Sequence, residues 1–363
     1  MSQPSKPIRV AVIGAGSFGS VHLKTYSQLA REGRVELVGV ADTSEDARAA
    51  CEREYERQMY GEHRKLLAAE KPDAVSVVTP DHTHRDIVCD ALATGCHVLV
   101  EKPMDTSLDG CRKMIAVAKE NGLLLQVDFH KRFDPYHAAL RQAVREGQLG
   151  RLLYGYAWME DRISVPREML SAWSSESSPG WFLGSHMIDL FRWIVGGPKG
   201  LRVFATGQKN LLAEMGIDTW DAIQAQIAFE DDVSLSLNVN WILPDRFEAV
   251  VNQGIRVVGT EGITEIDSQN RGAEVCTTRS GQQTWNLGFR YDTADKWGRP
   301  RHKGYGYESI ADFVENIEYL RGGGTLDDLK GKYPDGDDGL ETTRILVAIH
   351  ESIISEKAVS PAE

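Results

Sequence analysis

The chain has 363 residues, 42% of them hydrophobic and 26% charged, and a formal net charge of −12. That length suits two domains, each with its own apolar core. No block of five or more basic residues occurs, so the chain lacks the clustered Lys and Arg that a nucleic-acid surface needs. The five cysteines (Cys51, Cys89, Cys96, Cys111 and Cys276) form no C-x-x-C pair. They read as small semi-buried thiols of a reducing compartment, with no metal site expected. No apolar run approaches the ~20 residues of a membrane span. Lys6 and Arg9 before "VAVIGAG" imitate a short signal peptide, but that run opens straight into a glycine-rich loop and reads as a strand. A cytoplasmic protein is expected.

Residues 8–127 alternate short β-rich runs with helical segments. Strands are expected at 8–13, 35–42, 73–79, 97–101 and 123–127, with the near-continuous apolar character of parallel strands buried on both faces. "HRDIVCDALATG" and "LDGCRKMIAVAKENG" read as amphipathic helices ending at Gly95 and Gly122. Repeated β–α units imply an α/β domain with a doubly wound parallel sheet.

In that context "GAGSFG" follows the first strand and opens a helix, with Gly14, Gly16 and Gly19 in G-x-G-x-x-G spacing around Ser17 and Phe18. Asp42 ends the second strand 23 residues past Gly19, near the ~20 expected of a ribose-binding acid. Glycines let the backbone approach a pyrophosphate at the helix N-terminus, while Asp42 accepts hydrogen bonds from the adenosine ribose. The pattern predicts a Rossmann dinucleotide site. A carboxylate at 42 repels a 2′-phosphate, and no arginine follows at 43–47; Arg48 stands one helical turn into the next element. NAD is therefore expected over NADP.

Ligands of such sheets bind outside the carboxyl ends of the strands. The segments "TPDHTH" (79–84), with Thr79, Pro80 and His84, and "EKP" (101–103), with Glu101 and Lys102, should then border the nicotinamide. Lys102 precedes proline, which biases it out of the α region and makes a cis bond possible. A lysine fixed there donates to a substrate hydroxyl; a surface salt bridge with Glu101 is the bland alternative.

After a helix at 134–147 the texture changes. Segments 151–162, 199–208, 222–231, 233–243 and 247–260 alternate apolar and polar residues, as strands with one buried face do, and "EDD" reads as a tight connection. With helices at 184–195, 307–320 and 339–356, an α+β domain with a large, mostly antiparallel sheet is expected. The division is a dinucleotide-binding domain over 1–127 and a substrate-binding and oligomerisation domain over 128–363. In "PGWFLGSHMIDLFRW" (179–193), His186, Asp189, Leu190 and Trp193 share one helix face. If Ser185 caps that helix, His186 lies in its first turn, where the positive dipole end favours neutral imidazole.

The order of motifs resembles the Gfo/Idh/MocA family of sugar and cyclitol oxidoreductases: "GAGSFG", "VVTPDHTHRDIVCDALATGCHVLVEKP", "QVDFHKRFDP", "GSHMIDLFRW", "YGYESIADFVENI" and "DGLETTRILVAIHES". The resemblance implies a two-domain NAD- or NADP-dependent dehydrogenase, commonly a homodimer or homotetramer joined through the C-terminal sheet. Its substrate would be a small polyol or sugar. It makes Lys102 the lysine that contacts the reacting hydroxyl and His186 the proton acceptor. Arg132 matches an arginine near the cofactor, and His130 replaces a residue that is often an amide, so it is expected at the substrate.

One position departs from the family pattern. Its catalytic aspartate stands four residues before the histidine, where this chain has Phe182. Three explanations compete. Another acid substitutes, Asp161 or Glu160 on the preceding strand, or Asp189; or Trp181 and Phe182 form an apolar wall against a ring's C–H face; or redox turnover is lost and the protein senses NAD and a carbohydrate. The second combined with the first is favoured, because "EKP", "GAGSFG" and His186 are intact. An enzyme that recycles tightly held NAD is a further reading. The long loop 163–183, with Arg167, Trp173 and Trp181, is expected as a lid or substrate loop. Residues 322–339 are expected as solvated loop.

Overall fold

The computed structural model describes residues 6–362. The first elements run β1 (Ile8–Ile13), α1 (Gly19–Arg31), β2 (Val35–Ala41), α2 (Glu45–Tyr55), β3 (Met59–Tyr60) and α3 (His63–Glu70). Then come β4 (Ala74–Val77), α4 (His84–Ala93), β5 (His97–Val100), α5 (Leu108–Asn121), β6 (Leu125–Val127) and α6 (Pro135–Arg145). Next are β7 (Leu152–Arg162), α7 (Ser185–Val195), β8 (Gly200–Gln208), α8 (Leu211–Glu214), β9 (Ala222–Phe229), β10 (Ser234–Leu243), β11 (Val251–Gly259) and β12 (Ile263–Asp267). Two short hairpins follow, β13 (Glu274–Thr277) with β14 (Gly281–Thr284) and β15 (Tyr291–Ala294) with β16 (Pro300–Lys303). The chain closes with α9 (Tyr305–Arg321), α10 (Leu326–Leu329) and α11 (Gly336–Ser355).

Two compact units result. The first contains the chain up to Asp105, Asp109–His130 and Phe289–Gly339; the second contains Thr106–Leu108, Lys131–Gly288 and the chain from Leu340 onward. The first is built on a six-stranded sheet in the order β3-β2-β1-β4-β5-β6, every pair parallel. Its strands are apolar because both faces are covered: Val10 and Val12 of β1 pack with Leu23 and Tyr26 of α1. Phe313, Val314 and Ile317 of α9 join the same cluster. That docking carries Phe289–Gly339 into the first unit and breaks the continuous 128–363 domain expected from sequence. The apolar stripe of α9 is visible in its periodicity, but a stripe does not name the core it will cover.

The second unit carries a six-stranded sheet in the order β12-β11-β7-β10-β9-β8, with β7 and β10 parallel and the other neighbours antiparallel. Alternation decides the buried face. Leu235, Leu237, Val239 and Trp241 of β10 and Ile223, Ala225, Ile227 and Phe229 of β9 point into a core shared with Met187, Leu190 and Phe191 of α7 and Leu346 and Ile349 of α11. The "EDD" connection is as tight as its sequence implies, with Asp231 and Asp232 at φ 59° and 56°, a region aspartate tolerates better than most residues. Strand β12 and both hairpins have no counterpart among the expected elements.

Residues 163–183 are not an open loop. Helical turns at Val165–Met169, Ser174–Glu176 and Gly180–Gly184 fill the segment. Pro179 and Gly184 both have helical backbone angles, so the last of these turns runs into α7 without a break. Ser185 therefore does not cap α7, and His186 does not sit at a free positive helix end.

Candidate active site

In the glycine turn, Gly14 has φ +101°, and a Cβ there would meet Val78 O at 2.0 Å. A Cβ on Gly19 would stand 2.2 Å from Gly14 O, so the turn closes on itself only with glycine at both positions. Gly16 differs, because nothing lies within 4 Å of where its side chain would be. Gly16 and Ser17 are exposed and Phe18 is half-buried at the N-cap of α1. The turn thus leaves open space at a helix N-terminus, where amides without intrahelical partners and the positive dipole end gather. Asp42 accepts from Ala15 N at 2.7 Å through one oxygen and from Ser44 N at 2.8 Å through the other. It ties the turn to the end of β2 while each oxygen keeps a further lone pair. Arg48 donates to Asp42 O at 2.7 Å and Thr43 O at 3.0 Å, which commits its guanidinium to backbone.

At the carboxyl end of β4, Thr79 and Pro80 are half-buried. His84 is buried, with one ring nitrogen 2.9 Å from Pro103 O and the other 2.8 Å from Thr79 O, so it braces the two strand-end segments against each other. The Lys102–Pro103 bond is cis. Lys102 is 4% exposed and Glu101 6%, which rules out a surface salt bridge for this pair. Lys102 N donates to Glu101 Oε2 at 3.2 Å. His130 is buried too, its ring 5.8 Å from that of Tyr305 and 5.1 Å from that of Phe289, a packed aromatic stack.

The first unit also holds two residues absent from the expected site. Asp128 follows β6, and the pairing Val100↔Val127 places it one step beyond, alongside Glu101. His22 on α1 has Nε2 3.3 Å from Glu101 Oε1 and 3.7 Å from Asp128 Oδ2. In the sequence they lie far apart, and strand register alone brings them together.

In the second unit, His186 is buried on α7. Arg132 donates to both oxygens of Asp189, at 2.9 and 2.6 Å, in a bidentate pair whose carboxylate is 1% exposed. Asp189 thus has a structural partner, as does Glu160, which accepts from Asn240 and Asn252 at 2.8 and 2.6 Å. Asp161 is buried on β7. Trp181 stacks on His350 of α11, 4.8 Å between centroids and 10° between planes. Phe182 is half-buried with ring centroids 6.0 Å from Trp173 and 6.2 Å from Trp241. Arg167 pairs with Glu168 and Asp245. The aromatic residues of this segment pack against the core of their own unit.

Residues 8–129 match the model of an oxidoreductase family with an NAD-binding Rossmann fold, Gfo/Idh/MocA, and residues 137–265 match the Gfo/Idh/MocA C-terminal domain. The D-glucoside 3-dehydrogenase of Escherichia coli K12 is 33% identical over 268 residues, covering 68% of this chain and 74% of that protein. The chain belongs to the Gfo/Idh/MocA family. An inositol 2-dehydrogenase of Rubrobacter xylanophilus is 27% identical over 267 residues, 73% of each chain. In fold, this Gfo/Idh/MocA protein is similar to the crystal structure of myo-inositol 2-dehydrogenase from Lactobacillus plantarum, with a TM-score of 0.79 at 20% identity, covering 98% of this chain and all of that one. Family membership makes the protein an NAD-dependent oxidoreductase. Its own residues fit the nucleotide: the room at Gly16 is what a pyrophosphate needs against the backbone, and Asp42 retains acceptor capacity for ribose hydroxyls. Among the described residues, no helix is long and apolar enough to cross a membrane.

Proposed function

We propose that this protein is a dehydrogenase acting on a secondary alcohol of a sugar, sugar acid or cyclitol. When bound, NAD supplies the hydride acceptor. Lys102 polarises the hydroxyl and steadies its alkoxide-like form, and His186 takes the hydroxyl proton as general base. The observation that carries this reading is the burial of Lys102 at the carboxyl end of β5, the sheet edge at which such folds bind their ligands. A buried ammonium is costly unless a partner or substrate uses its charge. The glucoside and inositol dehydrogenases among its relatives support a ring CH–OH as the reacting group.

The test is a panel of polyols and sugars with NAD and with NADP, followed by NADH absorbance, with ketones and NADH for the reverse direction. Turnover with NAD that is lost in Lys102→Met, with NAD binding retained, supports the assignment. Equal turnover in that variant sinks the role of Lys102, and equal turnover in His186→Ala sinks that of His186. Phe182, packed between two tryptophans, supports a second reading, a carbohydrate sensor that binds NAD without turnover. A silent panel with intact nucleotide binding would favour it.

The four free buried cysteines and the exposed fifth suit a reducing compartment such as the cytoplasm. The outward face of the second sheet supports assembly into a homodimer or homotetramer. One rung runs Tyr156, Ser236, Gln226 and Phe204 across β7, β10, β9 and β8, with Tyr156 39% and Phe204 47% exposed. Light scattering on Phe204→Asp would show a smaller particle than wild type if this face is the interface, and an unchanged one if it is not.

A further inference from the structure

The ends of β5 and β6 place two carboxyl groups against each other in the interior of the first unit. Val100 pairs with Val127, so Glu101 and Asp128 occupy the next rung, and Asp128 N donates to Val100 O at 2.8 Å. A carboxyl oxygen of each lies within 4.8 Å of one of the other and of a His22 ring nitrogen. Ionised carboxylates only accept and repel one another at such range, whereas a pair that holds one proton can hydrogen-bond.

The neighbours agree with that count. His22 Nε2 faces oxygens of both acids and is therefore the donating nitrogen. Burial pushes the His22 ring down to about 4, so it is neutral, and Nδ1 is left to accept from Ser76 Oγ at 3.0 Å. Ser76 in turn accepts from Tyr26 at 2.6 Å. His22 thus supplies a hydrogen bond but no charge. The cation beside Glu101 is Lys102, with His84 of α4 also facing it, and Ser309 of α9 stands near Asp128. Two negative charges side by side in a low-dielectric site are costly.

We propose that Glu101 and Asp128 share one proton and act as a unit on Lys102, which makes Asp128 a positioning residue of the active site. With the proton in place the pair carries one negative charge beside the Lys102 ammonium. When the proton leaves, the second negative charge draws the ammonium toward the pair and away from the substrate hydroxyl. Burial and the adjacent Glu101 push the Asp128 carboxyl up to about 7, and burial raises Glu101 as well, so this change falls in the neutral range and belongs to the pair. The inference rests on the dehydrogenase reading for its effect on turnover, though not for the shared proton itself.

A divalent cation is the competing account, since one ligand atom from each of His22, Glu101 and Asp128 lies within 4.8 Å of the others. Against it stands the adjacent buried ammonium of Lys102.

The experiment compares wild type with Asp128→Asn, and with Glu101→Gln should the first variant not fold. Infrared spectra are recorded from about pH 5 to 8, across the range in which such groups switch, alongside kcat and KM profiles and the metal content of the purified protein. A protonated-carboxyl band that fades in wild type through neutrality and is missing from the variant supports the pair. A kcat that falls on the alkaline side in wild type but not in Asp128→Asn, with KM little changed, supports the positioning role. A purely structural role would shift the melting temperature and leave the pH profile alone, which overturns the proposal. The same holds for spectra that do not differ, or for a stoichiometric metal that is lost in the variant. If wild type turns nothing over, the dehydrogenase reading fails while the spectra still decide the shared proton.

Discussion

The three glycines of "GAGSFG" look equivalent in sequence and are not equivalent in space, which makes Gly16→Ala a sharp test of the cofactor site. Gly14→Ala forces a side chain onto φ +101° and puts its Cβ 2.0 Å from Val78 O. The backbone strain alone is worth about 1–3 kcal/mol, and overlap with a strand-end carbonyl adds to it. Gly19→Ala meets Gly14 O at 2.2 Å, again backbone that cannot turn aside. Gly16→Ala meets nothing within 4 Å. Its stability should match wild type or rise by about 0.4–1 kcal/mol, because alanine restricts the unfolded chain. The methyl instead fills the space a pyrophosphate would need, so its effect should appear only with nucleotide. Thermal melts with and without NAD separate the two cases. At a concentration near 100 times Kd, wild type should gain about 2.7 kcal/mol from NAD. Gly16→Ala should gain little, and a tenfold weaker Kd corresponds to about 1.4 kcal/mol. The reasoning fails if Gly16→Ala binds NAD as wild type does, or if it melts as low as Gly14→Ala without nucleotide.

Asp189→Ala removes the bidentate partner of the nearly buried Arg132 guanidinium and should lower stability in a denaturant titration. Arg132→Met with Asp189→Leu should recover much of that, and a variant that keeps its stability but loses turnover would instead make Asp189 a partner of His186. Trp181→Ala should destabilise the second unit by about 2–4 kcal/mol through the lost stack on His350 while leaving KM unchanged; a raised KM at unchanged stability would return Trp181 to a substrate wall. Burial pushes the Asp312 carboxyl up to about 6, where Gln126 and Asn316 each donate to it at 3.1 Å. A raised carboxyl stabilises the fold below its unfolded value near 4, and that contribution is lost as pH climbs through about 6. Asp312→Asn should therefore gain on wild type by up to about 3 kcal/mol between pH 4 and 7, as read from parallel denaturant titrations.

What the sequence discloses is what is local. Each strand of the first sheet carries its burial in its own composition, and the glycine turn with Asp42 lies within a single β–α–β stretch. Alternation in "VSLSLNVNWIL" is enough to orient β10. Contacts made by register or docking are not local, and there the reading runs out. Nothing in "EKP" and "QVDFHKRF" says that Glu101 and Asp128 will touch until β5 and β6 are paired. The start of α7 misleads for a related reason: Gly184 and Ser185 look like a helix entry, yet "PGWFL" before them is already helical. His186 then loses the helix-end argument and keeps only its burial and its place in the family motif.

The same distinction bears on Phe182. The resemblance implies a carboxylate at that position, and the natural repair would be Phe182→Asp. Its surroundings argue against it. The side chain packs against Trp173 and Trp241, and Trp241 is fully buried. An aspartate there would exchange aromatic packing for a carboxyl with little to solvate its charge, so the group would stay protonated well above its ordinary range. It would also destabilise the second unit without becoming the ionised partner that a histidine base needs. The aromatic cluster around 182 and an acid at 182 are thus alternative solutions rather than a wild type and its defect. The carboxyl pair proposed beside Lys102 is a separate feature of the first unit, where Asp128 is the residue that distinguishes it from an ordinary strand end.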